Sequence, residues 1–233
     1  MTNQNIKLLC ATHGVRPSKS KGQNFLIDQN IVKKIISAAD LSESDLVLEV
    51  GPGLGVLTGE LIKSAKEVWA VELDKKIISF FRDNFKRQLS AGKLKLIEGD
   101  VLQINLRKLG LDDWTYKIVA NLPYNITSQF FRQFLEFGPR PTEMTVMVQK
   151  EVALRMVAKP GEMSLLSLSV QFFSQSKILF YVPRSCFWPA PAVDSAIICL
   201  KLNKKLPLVD EKLFFRLARI GFSAKRKQLH NNL

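Results

Sequence analysis

The segment V-A-N-L-P-Y-N-I, residues 119–126, places an amide, a proline and a phenol directly after an apolar strand. Asn121 offers one acceptor oxygen, and the carbonyl of Leu122, stiffened by the ring of Pro123, offers a second. Two acceptors that converge on one NH₂ group draw its nitrogen toward tetrahedral geometry, which frees the lone pair of a purine amine for attack. Tyr124 supplies a ring on which an extruded base can stack, a contact worth about 1–3 kcal/mol. The alternative is a plain strand-to-helix turn capped by Asn121.

The cysteines argue against a covalent nucleophile at this turn. Methylation at carbon 5 of a pyrimidine would require a cysteine there, but Cys10, Cys186 and Cys199 are all distant from it in the sequence. Their odd number, with only His13 and His230 as possible co-ligands, makes neither disulfides nor a metal site expected.

A glycine-rich segment, E-V-G-P-G-L-G at residues 49–55, follows a second apolar strand and opens a helix. Glycines permit a tight turn and let backbone amides approach a ligand closely. The segment lacks the Gly-Lys-Ser/Thr of a phosphate loop, and Glu49 would point into the cavity. A carboxylate there suits a cationic ligand better than a pyrophosphate. Taken alone, the segment could also be a simple connection.

Two further acidic residues end neighbouring strands. Glu72 is placed to accept hydrogen bonds from both hydroxyls of a ribose, and Asp100 could accept from the exocyclic amine of an adenine. Each could instead be a solvated strand end. A glycine loop with carboxylates and no basic phosphate cradle favours S-adenosylmethionine, which carries a positive sulfonium and no phosphate.

Apolar residues alternate between strand and helix spacing along the first two thirds of the chain. This alternation predicts an α/β fold of the Rossmann-like methyltransferase type, with a mostly parallel sheet and helices on both faces. Ligands in such sheets bind beyond the carboxyl ends of the strands, where every motif above is found. Strands are predicted at 45–50, 67–72, 93–98, 116–121 and 142–150, and helices at 28–40, 55–62, 75–85 and 127–135.

The pattern changes after residue 165. Segments 168–173, 176–183 and 193–202 are predicted as added strands with an antiparallel finish. The end of the chain predicts one amphipathic helix and a basic stretch. We therefore divide the chain into a methyltransferase domain with a basic N-terminal arm, residues 1–206, and the beginning of a truncated C-terminal helical domain, residues 207–233.

The charge balance suits a polyanionic partner. The 233 residues carry 34 Lys+Arg against 21 Asp+Glu, a formal net charge of +13, although solubility alone can also make a chain basic. No apolar run approaches the roughly 18 residues of a membrane span, and the first residues lack the pattern of a secretory signal. We expect a cytoplasmic, monomeric protein without membrane or metal.

Five motifs together closely resemble those of the ribosomal RNA adenine dimethyltransferases of the KsgA type, from about residue 16 to the end. The resemblance implies dimethylation at N6 of two adjacent adenosines in a hairpin loop near the 3′ end of small-subunit (16S) rRNA, during assembly of the 30S particle. The motifs are Q-N-F-L at 23–26, E-V-G-P-G-L-G at 49–55, N-L-P-Y at 121–124, V-Q-K-E-V-A at 148–153 and F-W-P-A-P-A-V-D-S-A at 187–196.

The resemblance also implies site residues. Phe187 would be the second aromatic around the target base, or else a core residue, and residues 23–24 could be a structural turn in an arm over the cofactor. The expected cofactor residues are Asn24, Leu26, Glu49, Gly51, Gly53, Gly55, Glu72, Asp100, Val101 and Asn121. The expected RNA-binding residues are Lys19, Lys21, Lys225, Arg226 and Lys227.

Two other functions remain open from the sequence. An antibiotic-resistance methyltransferase of large-subunit rRNA shares the glycine loop and the Asn-x-Pro-Tyr logic, but the stretch P-A-P-A-V-D-S-A disfavours it. A non-catalytic nucleic-acid binder on the same fold, such as an assembly or transcription factor, is disfavoured by the intact acceptor set.

Overall fold

The computed structural model describes residues 3–18 and 22–223. Its strands are β1 Phe25–Leu26, β2 Leu46–Val50, β3 Glu67–Glu72, β4 Leu94–Glu98, β5 Lys117–Asn121, β6 Glu143–Gln149, β7 Ser174–Val182, β8 Phe187–Trp188 and β9 Ser195–Leu202. Its α-helices are α1 Asn3–Thr12, α2 Gln29–Ala39, α3 Val56–Ser64, α4 Lys75–Asn84, α5 Lys86–Ser90, α6 Thr127–Arg132, α7 Lys150–Met156, α8 Leu165–Phe173 and α9 Glu211–Gly221.

Seven strands form the main sheet, in the order β4-β3-β2-β5-β6-β9-β7. Strands β2 to β6 are parallel, whereas β9 runs antiparallel to both β6 and β7. The predicted α/β fold, mostly parallel with an antiparallel finish, is confirmed. The strand order reverses between β2 and β5, and a crevice forms at the carboxyl ends of the strands at such a reversal.

The sheet is covered on both faces because its central strands are apolar at consecutive positions. Successive side chains point to opposite faces, so Val47 joins one core cluster and Leu48 the other. Residues of α1 to α4 fill the Val47 face, and residues of α6 to α9 fill the Leu48 face. Both layers fix the carboxyl edge of the sheet in place.

The start of α2 is set by the residue that caps it. Asp28, the first residue of the predicted helix 28–40, is the N-cap of α2 and accepts hydrogen bonds from the N–H groups of Asn30 at 2.8 Å and Ile31 at 3.3 Å. Helix α6 is shorter than the predicted 127–135 segment, because the chain continues as a π-helical segment at Gln133–Phe137.

The prediction of a strand at 168–173 is wrong, because this segment belongs to α8. Ser164 and Ser167 form a capping box in which each side chain accepts a hydrogen bond from the other residue's backbone N–H. The apolar run that follows is short enough to suit either structure, and the cap decides for a helix. The other two added strands, predicted at 176–183 and 193–202, are confirmed with shifted ends as β7 and β9, since residues 183, 193 and 194 lie outside them.

Helix α9 packs on α8 through aromatic rings. The Phe215 and Phe173 rings stack with centroids 5.5 Å apart and planes 8° apart, and Phe214 stacks on Phe172 at 4.8 Å. The division of the chain at residue 207 stays a prediction. Within residues 3–18 and 22–223, no helix is long and apolar enough to span a bilayer.

Candidate active site

A cavity of about 380 Å³ lies at the carboxyl ends of β2, β3, β4 and β5. The glycine loop, the turn at 121–124 and the arm at 22–26 all contribute to its wall. Of the predicted cofactor residues all but Gly55 line it: Asn24, Leu26, Glu49, Gly51, Gly53, Glu72, Asp100, Val101 and Asn121. Gly55 is the N-cap of α3, with φ +72°, and an added Cβ would lie 2.5 Å from the ring of Phe85, so its lack of a side chain serves helix packing.

The glycine loop lies against the two other segments of the cavity wall, the arm at 22–26 and the turn at 121–124. Gly51 and Gly53 have φ of +65° and +57°, a region that side chains rarely adopt. A Cβ on Gly53 would lie 2.9 Å from Cδ1 of Phe25 in the arm, and one on Gly51 would lie 3.2 Å from Cγ of Pro123. The loop, the arm and the turn therefore meet at distances that leave no room for larger residues.

Two carboxylates are held by neighbouring donors. The backbone N–H groups of Leu73 and Asp74 donate to one oxygen of Glu72, at 2.9 and 2.8 Å. Burial raises the pKa of Glu72, and these N–H groups act in the opposite direction. Asp100 accepts from the N–H of Leu102 at 2.9 Å and from the side chain of Gln103 at 3.0 Å. Both side chains are thus fixed at the cavity wall.

Glu49 is the most buried acid of the cavity, at 1% exposure. Thr58 donates a 2.6 Å hydrogen bond to its carboxyl group. Burial, and secondarily the charge of Glu72, raises the pKa of Glu49 to about 8. A bound cation would favour the ionised form of this group.

The charge of the lining fits a cationic ligand. Among the described residues the wall contains four acids, Glu49, Glu72, Asp74 and Asp100, and neither lysine nor arginine. A phosphate would find no basic partner among these described lining residues. S-adenosylmethionine, with its sulfonium and no phosphate, agrees with this set of groups.

The turn after β5 presents Asn121 with a defined orientation. Its Nδ2 donates to the backbone carbonyl of Asn24, 3.2 Å away, which leaves Oδ1 as an acceptor for a ligand. Pro123 has φ −58° and precedes a 3₁₀ turn at Tyr124–Ile126. Tyr124 is half-buried at the cavity wall, and its hydroxyl is hydrogen-bonded to Ser195 at 2.6 Å.

The arm is attached on both sides of the cavity. Strand β1 pairs antiparallel with β8, with Phe25 opposite Trp188 and Leu26 opposite Phe187. On the other side, Gln23 Nε2 donates to Asp74 at 3.3 Å. The sequence motif Q-N-F-L thus forms part of the cavity wall.

The family of the chain follows from its match to known proteins. Residues 15–233 match the family model described as ribosomal RNA adenine dimethylase. The chain belongs to this family. It is therefore a methyltransferase, and S-adenosylmethionine is its cofactor.

Relatives and solved structures agree with the family assignment. "Ribosomal RNA small subunit methyltransferase A" of Dehalococcoides mccartyi strain CBDB1 is 47% identical over 94% of this chain and 75% of the relative. The protein of that name from Enterococcus faecalis is 39% identical over 100% of this chain and 80% of its own length. A dimethyladenosine transferase from Plasmodium falciparum matches with TM-score 0.76 and 34% identity, covering 89% of this chain and 74% of that one. The 23S rRNA methyltransferase ErmE matches with TM-score 0.73 and 26% identity, covering 90% and 83%.

Some predicted residues lie away from the cavity or outside the described chain. Phe187 is 3% exposed, belongs to the core cluster on the Val47 face and does not line the cavity. Lys19, Lys21, Lys225, Arg226 and Lys227 lie outside the described residues. The three cysteines are buried and free, and no cluster of metal-binding side chains occurs in the described ranges.

Two groups at the site were missed by sequence reasoning. The carbonyl of Asn24 is a main-chain group, so no residue type announces its contact with Asn121. Ser195 lies in the motif P-A-P-A-V-D-S-A, but nothing in the sequence connects it to Tyr124, 71 residues away. The motif could indicate that this segment belongs to the site, but it gave no role for the hydroxyl of Ser195.

Proposed function

We propose that this family member dimethylates N6 of two adjacent adenosines in a hairpin loop near the 3′ end of small-subunit rRNA. Its substrate is an assembling 30S particle in the cytoplasm, and the enzyme acts as a monomer. The observation that carries the proposal is the orientation of Asn121, whose Nδ2 is held by Asn24 beside a cavity lined by acids.

The cavity wall supplies the groups that a methyl donor requires. S-adenosylmethionine, when bound, supplies an electrophilic methyl group on a positive sulfur. Glu72 would accept from the ribose hydroxyls, and Asp100 and Val101 would hold the adenine ring. Glu49 would contribute negative charge once a cation favours its ionised form. The backbone at Gly51 and Gly53 permits close approach.

Activation of the target amine falls to the turn. Oδ1 of Asn121 and the carbonyl of Leu122 would accept the two hydrogens of the N6 amine and hold its lone pair out of conjugation with the ring. Tyr124 would stack on the extruded base. Acceptors that meet the amine in its reactive geometry stabilise the transition state more than the ground state.

The small subunit is favoured over the large one by the motif at residues 189–196 and by the names of the relatives at 39–47% identity. The large-subunit enzyme ErmE is more distant, at 26%. The complete set of acids and the oriented amide also favour catalysis over a non-catalytic binder on this fold.

Methyl transfer to ribosomal particles tests the proposal. Small subunits from a strain that lacks this modification would be incubated with the enzyme and labelled S-adenosylmethionine, and the RNA digested for mass spectrometry. We expect two methyl groups on each of two adjacent adenosines, with assembling particles better substrates than mature subunits or naked RNA. Labelling of the large subunit alone would contradict the substrate. Cofactor binding by calorimetry without any transfer would support the non-catalytic alternative.

A further inference from the structure

The side chain of Tyr124 connects the two parts of the sheet. The residue follows β5 in the parallel part, and its hydroxyl lies 2.6 Å from Oγ of Ser195, the first residue of the antiparallel strand β9. Ser195 is 0% exposed, so its hydroxyl, which forms this hydrogen bond with Tyr124, is fully buried. Burial raises the pKa of Tyr124, so the phenol stays protonated and can take part as donor or acceptor.

The position of Ser195 is fixed by the backbone on both sides. In the sheet it lies opposite Gln149 of β6 and Val182 of β7. The preceding residue, Asp194, accepts from the backbone N–H of Arg184 at 2.9 Å and of Lys150 at 3.0 Å. A hydroxyl held between two strands is a rigid anchor for a side chain that lies at the wall of the cavity.

We infer that Ser195 is a positioning residue for the target base: its hydrogen bond holds the ring of Tyr124 in the plane on which the adenine stacks. The inference rests on the proposed function, in which Tyr124 is the stacking ring. Stacking depends on ring orientation, and a hydrogen bond at the far end of a phenol restricts rotation of that ring. By this inference Ser195, the serine of P-A-P-A-V-D-S-A, contributes to RNA methylation although it does not contact the reacting atoms.

A purely structural role predicts a different behaviour. A buried hydroxyl without a partner is costly, so Tyr124 could serve only to satisfy Ser195. In that case replacement of Ser195 by alanine would leave the kinetics toward RNA unchanged, because the ring would keep its place by packing. The two roles therefore separate in kinetics rather than in stability.

The test compares Ser195→Ala, Tyr124→Phe and the double variant, with Ser195→Thr as the conservative replacement. Each single change should lower kcat/KM for the RNA substrate about fivefold, the factor that one neutral hydrogen bond of ordinary strength supports. The dissociation constant for the cofactor, measured by calorimetry, should not change. The double variant should lose no more than the worse single variant, because both changes remove one interaction. Ser195→Thr, which keeps a hydroxyl in a strand, should restore most of the rate.

Ser174→Ala is the matched control. Ser174 is also buried at the start of a strand, and its hydroxyl donates to the carbonyl of Val170 at 2.7 Å, away from the cavity. It should lose stability with unchanged RNA kinetics. The inference would be overturned if the losses in kcat/KM of the two single variants multiplied in the double variant, or if Ser195→Ala had unaltered RNA kinetics. In either case an active unsubstituted enzyme would leave the proposed function intact. An unsubstituted enzyme with no transfer to small subunits would instead refute the function, and this inference with it.

Discussion

The two ends of the Asn121 amide have different tasks. Nδ2 donates to the backbone carbonyl of Asn24, and in the proposed mechanism Oδ1 accepts from the substrate amine. Asn121→Ala should lower kcat by about 10²–10³, the loss found when one oriented transition-state partner is removed. The cofactor dissociation constant should change far less than kcat, because the proposed role of Oδ1 is toward the target amine and Nδ2 makes only one hydrogen bond, to the carbonyl of Asn24. Single-turnover kinetics and calorimetry measure the two quantities.

Asn105→Ala is the control for this change. Asn105 is an exposed asparagine whose side chain accepts from the backbone N–H of Lys108 at 3.1 Å, away from the cavity. Its removal should leave kcat unchanged. A normal rate in Asn121→Ala would show that another group orients the amine.

Glu49 should make stability depend on pH. Its pKa is about 8 in the folded protein against 4.5 when unperturbed, so the folded state holds a proton that the unfolded state releases. The stabilising contribution is complete below pH 4.5 and is lost as the pH rises toward 8, at up to about 1.4 kcal/mol per pH unit. Glu49→Gln should abolish this part of the slope.

Urea unfolding of the unsubstituted protein and of Glu49→Gln between pH 5 and 8 measures the difference. The other titrating groups are common to both proteins and cancel. Parallel curves would mean that Glu49 is ionised in the folded protein without a ligand.

For single residues, the sequence predicted which side chains belong to the site and where they lie, but few of the groups that they contact. Glu49, Glu72, Asp100 and Asn121 could be placed at one edge because parallel strands end together. The orientation of Asn121 could not be predicted, since the carbonyl that sets it lies 97 residues away in the chain. For the same reason Phe187 left two interpretations open, and its burial beside Leu26 is a property of the pairing between β1 and β8.

At the scale of the elements, the arm at 22–26 can pack against the glycine loop only because residue 53 is a glycine. Gly53→Ala would place a Cβ 2.9 Å from Phe25 and force β1 away from the cavity. Overpacking of this kind costs about 1–3 kcal/mol, and a loss of this size in cofactor binding weakens affinity about fivefold or more. Calorimetry with S-adenosylmethionine provides the measurement.

Gly92→Ala separates crowding from backbone strain. Gly92 also has a positive φ, +71°, but an added Cβ would meet nothing within 4 Å. Both variants should lose stability through strain, and only Gly53→Ala should bind the cofactor more weakly. Equal affinities in the two variants would show that the arm does not need to contact the loop.

The elements that the sequence predicted well are those with one clear pattern. β2 and β3 are apolar at nearly every position because helices cover both faces. The prediction for segment 168–173 was wrong because Ser169 and Gln171 alternate with apolar residues as in a strand, whereas the deciding signal was the cap at Ser164. β1 and β8 contain two residues each, too few for any periodicity.

For the molecule as a whole, the net charge of +13 predicts RNA binding that weakens with salt. Replacing Lys225, Arg226 and Lys227 by glutamate should lower RNA affinity, and each lost phosphate contact should reduce the slope of log K against log salt by about 0.7–0.9. Filter binding at several salt concentrations tests this.

A control with the same change of charge replaces Lys86, Arg87 and Lys93 by glutamate. These exposed residues lie on and beside α5, near the sheet edge formed by β4. Their reversal should change affinity less. Equal slopes in both variants would mean that RNA responds only to the total charge.

Of the described strands, β9 is the last in the chain, yet it lies inside the sheet between β6 and β7. During translation these two strands therefore emerge with facing edges unpaired, until residue 202 has left the exit tunnel. Tyr124 has no hydroxyl partner before that moment, because Ser195 begins the missing strand. The contact between Tyr124 and Ser195 can therefore form only once the closing strand β9 has been inserted between β6 and β7.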